Sequence, residues 1–184
     1  MKFAITELLM VYLPNDDSFL TLEVSEIAIQ LTNARKIMEM GCGTGFIGIN
    51  LARKFNLDKV VFVDIDKEAI DYTKQACEKE KIKNAEFIQS NLFEKINEKF
   101  DLIIFNAPYL PGKESYVDLI GGEEGNEILY RFLKDLPNFS KRAVITYSSL
   151  SNFVLPSCFS EIFTRSKKFD FESIYSSFIE FTSR

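Results

Sequence analysis

The segment "KIMEMGCGTGFIGINLARKF", residues 36–55, constrains this chain more than any other. Residues 36–40 read as a buried strand, and residues 46–55 as a helix. Between them stand Gly41, Gly43 and Gly45. Glycine lets a backbone turn sharply and lets a ligand come close. The free N–H groups at the helix start favour polar or anionic ligand atoms. Residues 59–64, "KVVFVD", read as a second buried strand that ends on Asp64, 19 residues after Gly45. A carboxylate there can accept from two adjacent ribose hydroxyls. A tight turn alone also calls for glycine, but strand, loop, helix, strand and terminal acid in this order point to a nucleotide-like ligand. No lysine follows the glycines, so this is not the G-x-x-x-x-G-K-[ST] phosphate loop. The register Gly43, Gly45, Gly48 fits a dinucleotide fingerprint, so the loop alone leaves a nicotinamide enzyme open.

The rest of the chain continues the alternation. Residues 18–31 read as a helix with Asp16 or Asp17 as N-cap, and residues 67–81 and 123–136 as further helices. Residues 85–89, 100–105 and 142–148 read as strands, and the tail as a closing antiparallel pair. The expected fold is α/β, a three-layer sandwich on a mostly parallel sheet with an antiparallel C-terminal edge strand. A length of 184 residues suits one domain spanning 1–184.

Composition removes several function classes. No apolar run reaches the roughly 18 residues of a membrane span. The N-terminus lacks a cleavage-site pattern, so a signal peptide is not expected and the location is read as cytoplasmic, or also nuclear in a eukaryote. The net charge of −5 disfavours a duplex DNA binder. Cys42, Cys77 and Cys158 lie far apart and outside metal spacing, as inert thiols in a reducing compartment would. The chain has no histidine, which removes histidine triads, histidine metal ligands and the usual general base near neutral pH.

A second short segment carries chemistry. "FNAPYLP", residues 105–111, ends an apolar strand with an amide, two prolines and an aromatic ring. Strand interiors avoid Pro and Asn, so this is a loop at a strand end. Asn106 and the carbonyl of Ala107 can accept N–H groups, Pro108 stiffens the backbone and Tyr109 can stack on a planar group.

"E-M-G-C-G-T-G", with Glu39 before the glycines, resembles the first motif of class I S-adenosylmethionine-dependent methyltransferases. The resemblance implies a Rossmann-like seven-stranded sheet. It also implies a cofactor, S-adenosyl-L-methionine, over Gly41, Gly43 and Gly45, with Asp64 on the ribose and Ile65 beside it. "SNLF", residues 90–93, falls where the family often has an Asp at the adenine amino group, so Asn91 and Leu92 are adenine-side candidates. "NAPY" resembles the [DNS]-P-P-[YFW] motif of enzymes that methylate planar nitrogens, with Ala107 in place of the usual proline. It marks Asn106, Ala107, Pro108 and Tyr109 as catalytic candidates, with Asn106 also at the cofactor. Such chemistry needs positioned acceptors and no initial base.

"VYLPNDDSFLTLE", residues 11–23, and "GGEEGNEILYRFL", residues 121–133, resemble segments of the HemK-like methyltransferases, in their short eukaryotic and archaeal branch. The first would cover the cofactor mouth, so Tyr12, Pro14, Asp17 and Ser18 are cofactor candidates. The start of the chain at that segment implies no N-terminal helical domain of the bacterial kind. The branch implies N5-methylation of the glutamine in the Gly-Gly-Gln motif of a class-1 translation release factor. It also implies a heterodimer with a small zinc-binding activator subunit, for which residues 85–90 offer a receiving sheet edge. Adenine-N6 or guanine-N2 methylation of nucleic acid, protein-lysine methylation and a non-catalytic cofactor-binding scaffold remain alternatives at this point.

Overall fold

The computed structural model describes residues 14–112 and 119–182. Period-two burial explains its layers. In β1 (Lys36–Met40), β2 (Lys59–Asp64) and β4 (Leu102–Asn106), the residues Ile37, Val60, Phe62, Leu102 and Ile104 face one core. The alternate residues Met38, Met40, Val61, Val63, Ile103 and Phe105 face another. Strands buried on both faces need helices on both sides, which gives the three layers. α1 (Asp16–Thr32), α2 (Phe46–Lys54) and α3 (Lys67–Lys79) contribute to the first core, through Val24, Leu51 and Ile70 among others. α4 (Glu127–Asp135) closes the second with Leu129, Phe132 and Leu133.

The remaining elements are β3 (Ala85–Gln89), β5 (Leu110–Pro111), β6 (Ile120–Gly122), β7 (Arg142–Ser148), β8 (Phe159–Lys168) and β9 (Ser173–Phe181). The main sheet has seven strands in the order β3-β2-β1-β4-β7-β9-β8, while β5 and β6 form a separate small sheet. From β3 to β7 all pairings are parallel, and β9 pairs antiparallel with β7 and with β8. This is the Rossmann-like arrangement with its antiparallel closing pair at the C-terminal edge. The chain runs outward from β1 to β3 and then returns to place β4 on the other side of β1. Ligands in such sheets sit at the carboxyl ends of the strands at this reversal. Among the described residues, no helix is long and apolar enough to cross a membrane.

Several boundaries differ from the sequence reading, each for a local reason. α1 starts at Asp16 and is capped by Asn15, not by Asp16 or Asp17. Asn15 accepts from the Asp16 N–H at 2.8 Å, and Ser18 Oγ accepts from the Asn15 N–H. Asp17 is thereby freed for another task. α4 begins four residues later than the reading from 123. Gly125, at φ +77°, turns the chain there, and Glu127 accepts from the N–H groups of Glu124 and Asn126. α2 ends at Lys54 and α3 at Lys79, one and two residues early. β4 is shifted by a residue or two, running from Leu102 to Asn106.

Candidate active site

β1 ends in a loop whose glycines all lie in the left-handed region, with φ +61° at Gly41, +50° at Gly43 and +71° at Gly45. Four contacts hold the loop. Cys42 donates its N–H to Val63 at 3.0 Å and Gly45 donates to Cys42 at 2.6 Å. The Thr73 hydroxyl donates to the Gly43 carbonyl at 2.8 Å, and the Gly43 N–H donates to Asp64 Oδ2 at 2.9 Å. Asp64 Oδ1 accepts from the Asp66 N–H at 2.9 Å, so backbone amides fix both carboxylate oxygens. Thr73, on α3, was not visible as a loop anchor in sequence, because it sits in the middle of an ordinary amphipathic pattern.

Glu39 is buried, and its Oε2 accepts from the Gly48 N–H at 2.7 Å. The contact needs glycine, since a Cβ at Gly48 would stand 2.7 Å from Glu39 Oε2 and 2.5 Å from the Phe62 ring. Burial pushes the Glu39 carboxyl up to about 8, against the opposing pull of the Gly48 and Ile47 amides.

The loop floors a cleft of about 310 Å³ at the strand reversal. Glu39, Gly41, Gly43, Asp64, Ile65, Asn91, Leu92, Asn106, Ala107, Pro108, Tyr109, Asp17 and Ser18 all line it. Gly45 and Pro14 do not line it. Gly45 is the N-cap of α2 and packs on Thr73, where an added Cβ would lie 2.5 Å from Cγ2. Tyr12 lies outside the described residues. Ile65 is an exposed apolar side chain at the cleft. Asn91 donates its amide N–H to Glu94 at 2.7 Å, which turns its oxygen elsewhere. Leu92 holds a left-handed φ of +49°.

The opposite wall is the segment after β4. Asn106 Nδ2 and the Tyr109 hydroxyl both donate to Asp17 Oδ2, each at 3.2 Å. Asn106 Oδ1 is buried and has no hydrogen-bond partner among the described residues. Such an acceptor costs roughly 1–3 kcal/mol, so a fold that keeps it in a cleft keeps it for a ligand donor. The glycine-rich segment supports this wall from behind. A Cβ at Gly121 would lie 2.4 Å from the Pro108 carbonyl oxygen, and one at Gly125 would lie 2.5 Å from that of Tyr109. Only glycines let the two loops approach this closely, and the β5–β6 pairing then fixes their register.

A family model for the methyltransferase small domain matches residues 20–121, more than half the chain. This chain belongs to that family. The methyltransferase is also 40% identical over 139 residues to a Methanocaldococcus jannaschii protein that carries the provisional name of a protein N5-glutamine methyltransferase. That match covers 72% of this chain and 68% of the relative. It is 34% identical over 133 residues to the release factor glutamine methyltransferase of Borreliella burgdorferi, covering 72% of this chain but only 46% of the relative. Among solved structures, TrmN of Thermus thermophilus superposes with a TM-score of 0.66 at 17% identity, covering 87% of the methyltransferase and 48% of that chain. M. capricolum TrmK, solved with S-adenosyl-homocysteine, gives 0.63 at 13% identity over 88% of the methyltransferase and 70% of that chain. At these identities the structures speak for the fold.

Proposed function

We propose that this methyltransferase methylates the N5 nitrogen of the glutamine in the Gly-Gly-Gln motif of a class-1 translation release factor. The observation that carries the reading is the buried, unpartnered Asn106 Oδ1 in a methyltransferase cleft. The names of the archaeal and bacterial relatives supply the acceptor.

S-adenosylmethionine is the cofactor, and the residues present fit it. Asp64, held by the Gly43 and Asp66 amides, keeps lone pairs for the ribose hydroxyls. Ile65 offers an apolar surface to the adenine, and the Asn91 oxygen an acceptor to its amino group. Gly41 and Gly43 let the backbone approach the methionine part. When bound, the cofactor supplies an electrophilic methyl group on a cationic sulfur.

Asn106 Oδ1 and the Ala107 carbonyl accept the two N–H bonds of the acceptor carboxamide. They orient its nitrogen and favour the positive charge that develops on it. Tyr109 stacks on the planar carboxamide, and Pro108 holds the loop. As the methyl carbon bonds to nitrogen its bond to sulfur breaks, with the electron pair left on sulfur, and the N–H proton becomes acidic and leaves to water. No base has to act first, which suits a chain without histidine.

The reading includes a small zinc-binding activator as partner, in a heterodimer that works in the cytoplasm, or also in the nucleus of a eukaryote. Among the described residues β3 is an edge strand of the main sheet, with half-buried Phe87 and Ile88, and can receive an added strand.

The test is methyl transfer from labelled S-adenosylmethionine to a release factor carrying Gly-Gly-Gln or Gly-Gly-Ala, with and without the activator. Transfer only to the intact motif is expected, with a loss of roughly a hundredfold or more in Asn106→Ala. Label on a lysine or a nucleobase instead would overturn the acceptor assignment. An unchanged rate in Asn106→Ala would overturn the catalytic role of this loop.

A further inference from the structure

Among the described residues the cleft carries one cation. Its described lining includes the carboxylates Asp17, Glu39, Asp64 and Asp66, and the single basic side chain Arg131. Arg131 stands on α4, one turn after Ile128, which also lines the cleft, while Leu129, Phe132 and Leu133 on the same helix are buried in the core. The helix is thus fixed in rotation, and Arg131 is held at the mouth. It is exposed, and no ion pair or hydrogen bond engages it among the described residues.

Its helix borders the acceptor wall. α4 follows directly from the glycine segment that packs behind Pro108 and Tyr109. α4 spans both ends of the cleft, since Phe132 stacks on Phe93 of the segment after β3 at 5.3 Å and lies 4.8 Å from the ring of Phe105, the residue before Asn106. Arg131 therefore has an unused planar fork of donors beside the wall that receives the target group.

We propose that Arg131 is a specificity-determining residue that holds the acceptor's main chain, by donating to peptide carbonyl oxygens just before the methylated side chain. This rests on the glutamine reading above and deepens it. Two glycines before the acceptor residue leave their carbonyls bare and let that backbone come close to the cleft mouth. Because the contact lies outside the reacting group, it binds ground state and transition state alike, and its loss appears in KM.

The test is steady-state transfer to intact release factor at saturating S-adenosylmethionine, with wild type, Arg131→Ala, Arg131→Lys and Arg131→Glu. Cofactor affinity is measured separately by titration, and folding by thermal melt. Arg131→Ala should raise KM for the release factor about ten- to a hundredfold with kcat nearly unchanged. Lysine should recover part of the loss, and glutamate should deepen it. Unchanged KM in Arg131→Ala, or a loss confined to cofactor affinity, would overturn the inference while wild-type glutamine methylation still stood. Absence of wild-type transfer to glutamine would overturn the functional reading itself, and this inference with it.

Discussion

Asn106 and Asp17, 89 residues apart, meet across the cleft with Asn106 Nδ2 donating to Asp17 Oδ2 at 3.2 Å. A carboxylate only accepts, so this contact fixes which end of the amide is which. The nitrogen faces Asp17 and the oxygen is left for the ligand. Asp17→Ala should therefore lower kcat by roughly tenfold to a hundredfold, because the amide and the Tyr109 hydroxyl lose their common anchor. Single-turnover rates checked against cofactor titration separate this from weakened cofactor binding, which should change less.

Ala107 stands where the related motif has its first proline, and it is buried at the cleft. Its contribution to the proposed chemistry is a carbonyl, which proline also has. Ala107→Pro should retain activity, with a stiffer loop. Loss of transfer in a variant that still melts like wild type would count against the carbonyl-acceptor role.

Gly125 braces the acceptor wall. It sits at φ +77°, and an added Cβ would face the Tyr109 carbonyl at 2.5 Å and the Pro111 nitrogen at 2.8 Å. Gly125→Ala should destabilise the protein by about 1–3 kcal/mol and displace the Asn106–Tyr109 segment. Differential scanning calorimetry and kcat should both register it, with kcat falling further than the melting temperature alone would explain.

Glu39 gives a pH signature. Its carboxyl is raised in the folded protein from 4.5 to about 8, chiefly by burial. The folded state thus binds this proton more tightly than the unfolded chain does. The stability linked to it is complete below about pH 4.5 and is lost as pH rises through about 8. Glu39→Gln keeps an acceptor for the Gly48 N–H without the titrating charge. Its melting temperature should gain on wild type progressively across that window, and a constant difference between the two would refute the assignment.

The strands Lys36–Met40, Lys59–Asp64, Ala85–Gln89 and Arg142–Ser148 were legible residue for residue, because short segments rich in β-branched and other apolar residues, bounded by charges and loops, have few other readings. Helix starts were less legible. Asn15, Asp16 and Asp17 are all good caps by residue type, and the choice among them depends on where Asp17 is drawn by Asn106 and Tyr109. The glycine loop and Asp64 could be read as one unit, since they are close in sequence. Gly45 could not be separated from Gly41 and Gly43, because only packing against Thr73 assigns it to the turn and not to the cleft surface.

Residue patterns set the order of the main-sheet strands and the four helices, the nucleotide-like loop with its acid, and the chemical type of the loop after β4, but not the small β5–β6 pair. Those features are local, and periodicity, glycine and side-chain chemistry encode them within a few residues. Tertiary structure alone decided that Asp17 orients Asn106, that Gly121 and Gly125 brace the acceptor wall, and that Arg131 stands at the mouth. Each of these is a contact between distant segments, fixed by the strand order and by close approach of backbones, and no short window of sequence holds both partners.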